Sequence, residues 1–324
     1  MSNSRREFLQ CGAALAVGVM GSATVLAAEA QNSHPAASGT PALGTGTRGP
    51  KAEIQVPKMK FAGVEISRLV MGCNPFNGGA HFNASYGKLM QEWYTAERVC
   101  EVMHHANAYG INALNYTNKG HTPDGWARLT AEGGEMHLIA HDSSDDDPAA
   151  VVKKIKPLSL HRQGEIVDVA FRNGTMNTVR EWCKRVRDTG VLTGVATHNP
   201  EVIELVEEQG WDIDYYAGCV YHRSRNDEEW KKVLHGELLE MPREIYLQSD
   251  PARMYKAIRQ TPKPCFAFKI LAAGRISGGG IAQAFRTAFS SIKPIDGVFV
   301  GMYPWDKDQV RENAEIVHSI LAGA

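Results

Sequence analysis

From Lys60 onward, short apolar runs alternate with longer amphipathic stretches, a rhythm that predicts repeated βα units around a parallel sheet. Eight such units can be counted. Strands are expected at Arg68–Gly72, Asn112–Tyr116, Met136–His141, Ile166–Arg172, Leu192–Thr197, Ile213–Tyr221, Cys265–Ile270 and Gly297–Met302. Helices are expected to begin near Thr95, Asp124, Pro148, Asn177, Pro200, Pro251, Gly280 and Asp308. At Asp147-Pro148, Asn199-Pro200 and Asp250-Pro251 a capping acceptor directly precedes proline at the first helical position.

Ahead of the first strand, Lys58–Ile66 (KMKFAGVEI) alternates around Gly63 like a small hairpin able to plug the floor of a barrel. The segment 58–324 matches the roughly 250 residues typical of one (β/α)8 barrel, so a single α/β domain of the TIM-barrel class is expected. A charged insertion, His222 to Glu244, separates the sixth and seventh strands. It reads either as a lid over the mouth of the barrel or as a solvated helical excursion.

Residues 1–30 read as an address rather than as structure. Ser4-Arg5-Arg6-Glu7-Phe8-Leu9 is a twin-arginine pattern. Gly12 to Ala28 is apolar but too diluted by Gly, Ala and Ser for a membrane span, and Ala28-Glu29-Ala30 offers the small residues of a cleavage site. The expectation is periplasmic export of a folded chain by the twin-arginine translocation machinery, with no stable membrane anchor after cleavage. Residues 31–57, rich in Gly, Pro, Ser, Thr and Ala up to Pro50, are expected to be a disordered linker. Removing Arg5, Arg6, Glu7 and Glu29 takes away two charges of each sign and leaves the formal net charge at -1, which offers no basic field for nucleic acid. Cys73, Cys100, Cys183, Cys219 and Cys265 include no C-x-x-C pair and read as buried thiols, not as a disulfide framework or a zinc site.

Several segments resemble the aldo-keto reductases. Gly63–Gly72 (GVEISRLVMG) is similar to that family's entry hairpin and first strand, Gly110–Asn115 (GINALN) to its second strand and Gly194–Glu201 (GVATHNPE) to its fifth. Tyr221–Arg225 (YHRSR) resembles the end of the sixth strand and Leu271–Gly278 (LAAGRISG) the loop after the seventh. Val300-Gly301 with Asp308–Asn313 (DQVREN) resembles the last strand and the following helix. The resemblance runs in order from about Lys60 to Leu321 and implies an aldo-keto reductase-like barrel, in which Arg275, Gly301, Gln309, Glu312 and Asn313 hold NADP(H). The family's carbonyl chemistry uses a tyrosine acid helped by a lysine, an aspartate and a histidine. Here the aspartate slot holds Asn115, the tyrosine slot falls on Gly120, the lysine slot on Asp142 or His141, and the histidine slot on Asn173 or Arg172.

Side chains at the carboxyl ends of barrel strands point into the site. The expected catalytic set is His141, Asp142, Arg172, His198, Lys269 and Asn115, with Asn74, Asn173, Tyr221, His222 and Tyr303 as substrate contacts. His141 beside Asp142 could serve as a general base or bind a divalent metal, or simply hydrogen-bond in the polar loop that leads to Asp145–Asp147. Arg172 would clamp a carboxylate or a sugar hydroxyl, or pair with Asp168 or Asp142. Lys269 offers an amine whose pKa burial would depress, or a salt bridge. His198 and His222 could join His141 around a metal, whereas His104-His105 reads as a solvated helix face. Three functions remain open: an NADP(H)-dependent oxidoreductase acting on a small polar carbonyl or carbohydrate, a non-redox lyase, isomerase or hydrolase acting on a sugar by acid–base or metal-assisted chemistry, and a ligand-binding barrel.

Overall fold

The computed structural model describes residues 51–234 and 245–322. The address segment, the linker as far as residue 50, and residues 235–244 of the charged insertion lie outside the described residues. The described end of the expected linker is packed. Val56 is buried, and the Ala52 and Val56 N–H groups donate to the Ala108 and Tyr109 carbonyls at 2.8 and 2.9 Å.

Strands β1 (Lys58–Phe61) and β2 (Val64–Ser67) form the expected antiparallel hairpin, with Phe61 opposite Val64. Its two-residue turn, Ala62-Gly63, has φ of 51° and 76°, and two successive positive φ angles make the turn whose twist matches paired strands. Alternation sends Met59, Phe61 and Ile66 to one buried face.

That face covers the floor of a closed parallel barrel, ordered β10-β3-β4-β5-β6-β7-β8-β9. Its strands are β3 (Leu69–Gly72), β4 (Ala113–Tyr116), β5 (His137–Asp142), β6 (Ser159–Arg162), β7 (Leu192–Thr197), β8 (Tyr215–Cys219), β9 (Cys265–Phe268) and β10 (Gly297–Gly301). Inward residues of the lower barrel, among them Val70, Ala113, Ile139, Tyr215, Phe266 and Phe299, form one apolar cluster with the hairpin. Phe61 meets Tyr215 and Phe266 edge to face at 5.3 and 5.2 Å. Outward residues such as Leu69, Met71, Leu114, Leu160, Val195 and Val298 belong to the second core, beneath the helices.

Those helices are α1 (Ala84–Trp93), α2 (Ala96–Ala108), α3 (Thr122–Ala131), α4 (Pro148–Ile155), α5 (Gly164–Arg172) and α6 (Met176–Arg187), followed by α7 (Pro200–Glu208), α8 (Asp227–Leu234), α9 (Asp250–Gln260), α10 (Gly280–Ser291) and α11 (Gln309–Leu321). Asp147 and Asn199 cap α4 and α7 as expected, accepting from the Ala149 and Glu201 N–H groups at 3.3 and 3.0 Å. Asp250 does not cap α9. Its buried carboxylate instead holds the Arg225 guanidinium and the His222 N–H. No helix among the described residues is long and apolar enough to cross a membrane.

The fourth barrel strand is not where the pattern put it. Strand β6 pairs with β5, Asp142 opposite Arg162, and with β7, Ser159 opposite Leu192. The expected strand Ile166–Arg172 is helix α5. Val167 and Ala170 are buried at a helical spacing, while Val169, which a strand would bury together with Val167, is 38% exposed. Arg172 and Asn173 therefore close a helix in solvent rather than facing the barrel axis, and Arg172 donates to the Ser224 carbonyl at 3.2 Å.

The hairpin's role as a floor makes Phe61→Ala costly. Loss of its buried ring is expected to lower the unfolding free energy by about 3–5 kcal/mol in urea titrations. Lys60→Ala on the exposed face of the same strand should stay within about 0.5 kcal/mol of the parent.

Candidate active site

With the floor sealed, the polar inward positions gather at the carboxyl ends of the strands, where they line a cavity of about 620 Å³. Asn115 of β4, His141 of β5, His161 of β6 and His198 just beyond β7 come from four neighbouring strands. Asn74, Lys269 and Tyr303 reach the same cavity from the segments after β3, β9 and β10.

His161 was absent from the expected set, because the residues flanking it were not read as a strand. Its Nδ1 lies 2.9 Å from the Tyr215 hydroxyl, and both residues are buried. Burial raises the Tyr215 phenol above its ordinary range and drives the His161 imidazole well below its own, so both are neutral near pH 7. The phenol can donate to Nδ1, which places the remaining ring proton on Nε2, or accept from it, which leaves the lone pair there. The His141 ring stands 5.9 Å away, and burial, reinforced by repulsion from Lys119, pulls its pKa down to about 4.

His198 is held differently. Its Nδ1 lies 2.7 Å from Asp168 Oδ2, and that carboxylate also accepts from the His198 N–H at 3.2 Å and from the Thr197 hydroxyl at 2.6 Å. A carboxylate only accepts, so the ring proton sits on Nδ1 and Nε2 presents its lone pair. Arg223 Nη1 stands 3.3 Å from that nitrogen. Burial lowers the His198 pKa, and Asp168 opposes the shift. The pairing depends on Gly164 at the start of α5, since a Cβ there would lie 3.0 Å from His198 Cε1 and 3.2 Å from Nδ1.

Lys269 has φ of 61°, and Ala272 and Ala273 follow at 49° and 52°, half of the six positive-φ non-glycine residues among those described. Left-handed backbone costs residues with a Cβ on the order of 1 kcal/mol or more, so this loop stores strain at the rim. It lines the cavity together with Ser277 and Gly278, as do Gly301, Gln309, Glu312 and Asn313 from the neighbouring strand β10 and the helix after it. Gln309 Oε1 accepts the Tyr303 N–H at 2.9 Å, and Glu312 is paired with Lys307 at 2.6 Å. Arg275 is not among the lining residues; it donates to the His81 carbonyl at 2.9 Å with its guanidinium 4.2 Å from the Tyr246 ring centre.

Several expected members fall elsewhere. Strand alternation turns Asp142 away from the cavity, where it binds the Ser144 N–H and hydroxyl at 2.9 and 2.7 Å and Arg162 at 3.3 Å. Tyr221 packs on Tyr246 at 4.8 Å, and His222 is buried outside the cavity lining. The nitrogens of His141, His198 and His222 consequently do not converge on a metal. Among the described residues only Cys100, His104 and Glu132 bring three such ligand atoms within 4.8 Å. His105, expected in solvent, is bound to Asp308 at 2.8 Å. The charged insertion contributes Arg223 to the cavity and the short helix α8, whose Trp230 is buried beneath Arg225.

No family model matches the chain, and no curated protein matches it either. A solved structure from Pseudomonas aeruginosa, assigned as an aldo-keto reductase, superposes with a TM-score of 0.52 at 13% identity, covering 85% of this chain and 98% of the other. The fold is aldo-keto reductase-like. A second Pseudomonas aeruginosa structure with the same assignment gives a TM-score of 0.49 at 13% identity over 84% and 96% of the two chains. A truncated 3-deoxy-D-arabino-heptulosonate 7-phosphate synthase from Thermotoga maritima gives 0.48 at 12% identity over 83% and 92%. With the fourth strand at Ser159–Arg162, the residue that this strand brings to the barrel mouth is His161, not Arg172 or Asn173. Asn115, Gly120, and Asp142 or His141 stand where the resemblance implies other residues.

The neutral burial of His141 has a pH signature. An unfolded histidine protonates near 6.5 and this one only near 4, so the unfolded chain takes up the proton first as pH falls. Stability is complete above about 6.5 and is lost between there and about 4, by roughly 2–3 kcal/mol from this residue. Urea unfolding at pH 7 and pH 4 should show a gap that His141→Gln narrows by about that amount, and an unchanged gap would contradict neutral burial.

Proposed function

We propose that the protein is an oxidoreductase of the aldo-keto reductase type, exported folded through the twin-arginine route to the periplasm, that acts on a small polar carbonyl or carbohydrate with NADP(H). The observation supporting this is the continuity of one cavity, which joins Asn115, His141 and His161 at the barrel mouth to Gly301, Gln309, Glu312 and Asn313 at the last helix. The residues suit a nucleotide. Nothing lies within 4 Å of where a Cβ would stand on Gly278 or Gly279, so a phosphate can approach the backbone ahead of α10. Gln309, Glu312 and Asn313 present a polar edge on the first turns of α11. The nicotinamide supplies or accepts the hydride.

The chain's own groups attend to the substrate oxygen. In the tautomer protonated on Nε2, neutral His161 donates a hydrogen bond rather than a full proton, and the Asn115 amide and the Lys269 side chain line the same cavity. Phe268 and Phe299 make part of the lining apolar and restrict water there. The density of hydroxyl-binding groups, Asn74, Asn115 and Tyr303 among them, favours a hydroxylated substrate.

One observation favours a second reading, non-redox acid–base chemistry on a sugar. Asp168 orients His198 with the Nε2 lone pair toward Arg223, and displacement of that guanidinium by a substrate would free the imidazole to act as a general base.

Nicotinamide fluorescence separates the two. Saturable binding of NADPH, weakened at least tenfold by Asn313→Ala, and a fall in turnover of about 10²–10⁴ in His161→Ala support the first reading. Absence of nucleotide binding, together with sugar turnover that Asp168→Asn abolishes, would replace it with the second.

A further inference from the structure

Away from the barrel mouth, three groups with metal-binding atoms meet in the outer helical layer. Cys100 and His104 stand four residues apart on α2 and so share one face of that helix. Glu132 follows the last residue of α3. Cys100 Sγ lies 3.5 Å and His104 Nε2 3.0 Å from the same oxygen, Glu132 Oε2, while Arg128 Nε holds the other oxygen at 3.2 Å. None of the three residues lines the barrel cavity.

The backbone presets this meeting. The Gly133 N–H donates to the Thr130 carbonyl at 3.0 Å and the Gly134 N–H to the Leu129 carbonyl at 2.9 Å, the paired bonds of a Schellman cap, with Gly133 left-handed at φ 74°. A Cβ on Gly134 would lie 3.0 Å from His104 Cε1, so glycine lets the loop close over the imidazole. The Cys100 residue and the His104 side chain are 2% and 7% exposed, against 35% for the Glu132 side chain, which leaves an entry path from solvent. A carboxylate at a helix C-terminus also stands at the negative end of the dipole, where a cation is favoured.

We propose that Cys100 Sγ, His104 Nε2 and Glu132 Oε2 bind one Zn²⁺ ion, with water in the fourth tetrahedral position, as a staple between α2 and α3. Zinc bonds of about 2.3 Å to sulfur and 2.0–2.2 Å to nitrogen and oxygen place tetrahedral ligands about 3.4–3.6 Å apart. The thiol–carboxylate separation already meets this, and the imidazole–carboxylate separation opens by about 0.4 Å. On binding, the thiol releases its proton to solvent, the imidazole carries its proton on Nδ1, and Arg128 retains the second carboxylate oxygen. A thiolate with an imidazole selects zinc over magnesium or calcium.

Cobalt titration of the full chain, stripped of metal with a chelator, tests this. Co²⁺ occupies tetrahedral zinc sites and reports thiolate ligation by a near-ultraviolet charge-transfer band. One Co²⁺ per chain is expected, with a band that Zn²⁺ displaces, that Cys100→Ser removes and that Cys183→Ser leaves intact. Glu132→Gln should weaken binding at least tenfold with an unchanged circular dichroism spectrum. No band in the parent protein, or a band that survives in folded Cys100→Ser, overturns the proposal. Should Cys100→Ser fail to fold, unchanged affinity in Glu132→Gln and His104→Gln overturns it equally.

Discussion

Every second residue of a barrel strand faces the axis, and the plugging hairpin decides which end of that axis is closed. Below, the inward positions meet Met59, Phe61 and Ile66 and are apolar; above, they meet a cavity and are polar. Tyr215 belongs to both layers, with its ring against Phe61 and Phe266 and its hydroxyl on His161 Nδ1. The packing of the floor thus sets the orientation of an imidazole at the rim.

Burial also sets the charge state of the rim. His141, His161 and His198 all have depressed pKa values, with desolvation the leading cause in each. The cavity therefore offers neutral nitrogen donors and acceptors, while its basic side chains are Lys269, Arg223 and Lys307, the last paired with Glu312. This division suits recognition of hydroxyls and carbonyls, which need directional hydrogen bonds more than net charge.

Much of the barrel was legible in the sequence because seven of the strands bury apolar residues on both faces and read as apolar runs. Strand β6 was not, because its inward positions are Ser159 and His161 and only Leu160 is apolar, so the stronger alternation of Val167–Phe171 drew the assignment one element too far. That slip placed Arg172 and Asn173 at the mouth and concealed His161. Asp168, expected as a partner for Arg172, does reach the site, but from a helix and by way of His198. Asp142 illustrates a finer limit. Neighbouring residues of a strand face opposite ways, so His141 and Asp142 could not both enter the cavity. Contacts between residues distant in sequence, such as His198 with Arg223 or Arg225 with Asp250, follow from folding of the insertion and leave no local signal.

The separation of floor from rim bears on how such a chain can diverge. Packing below is shared among aromatic rings that touch the rim through the Tyr215 hydroxyl and the Phe299 ring at His161, so substitution of Asn115 or His141 removes no member of the floor cluster. Rim residues can then change one at a time while the barrel remains foldable, because the fold does not fix the chemistry at its mouth.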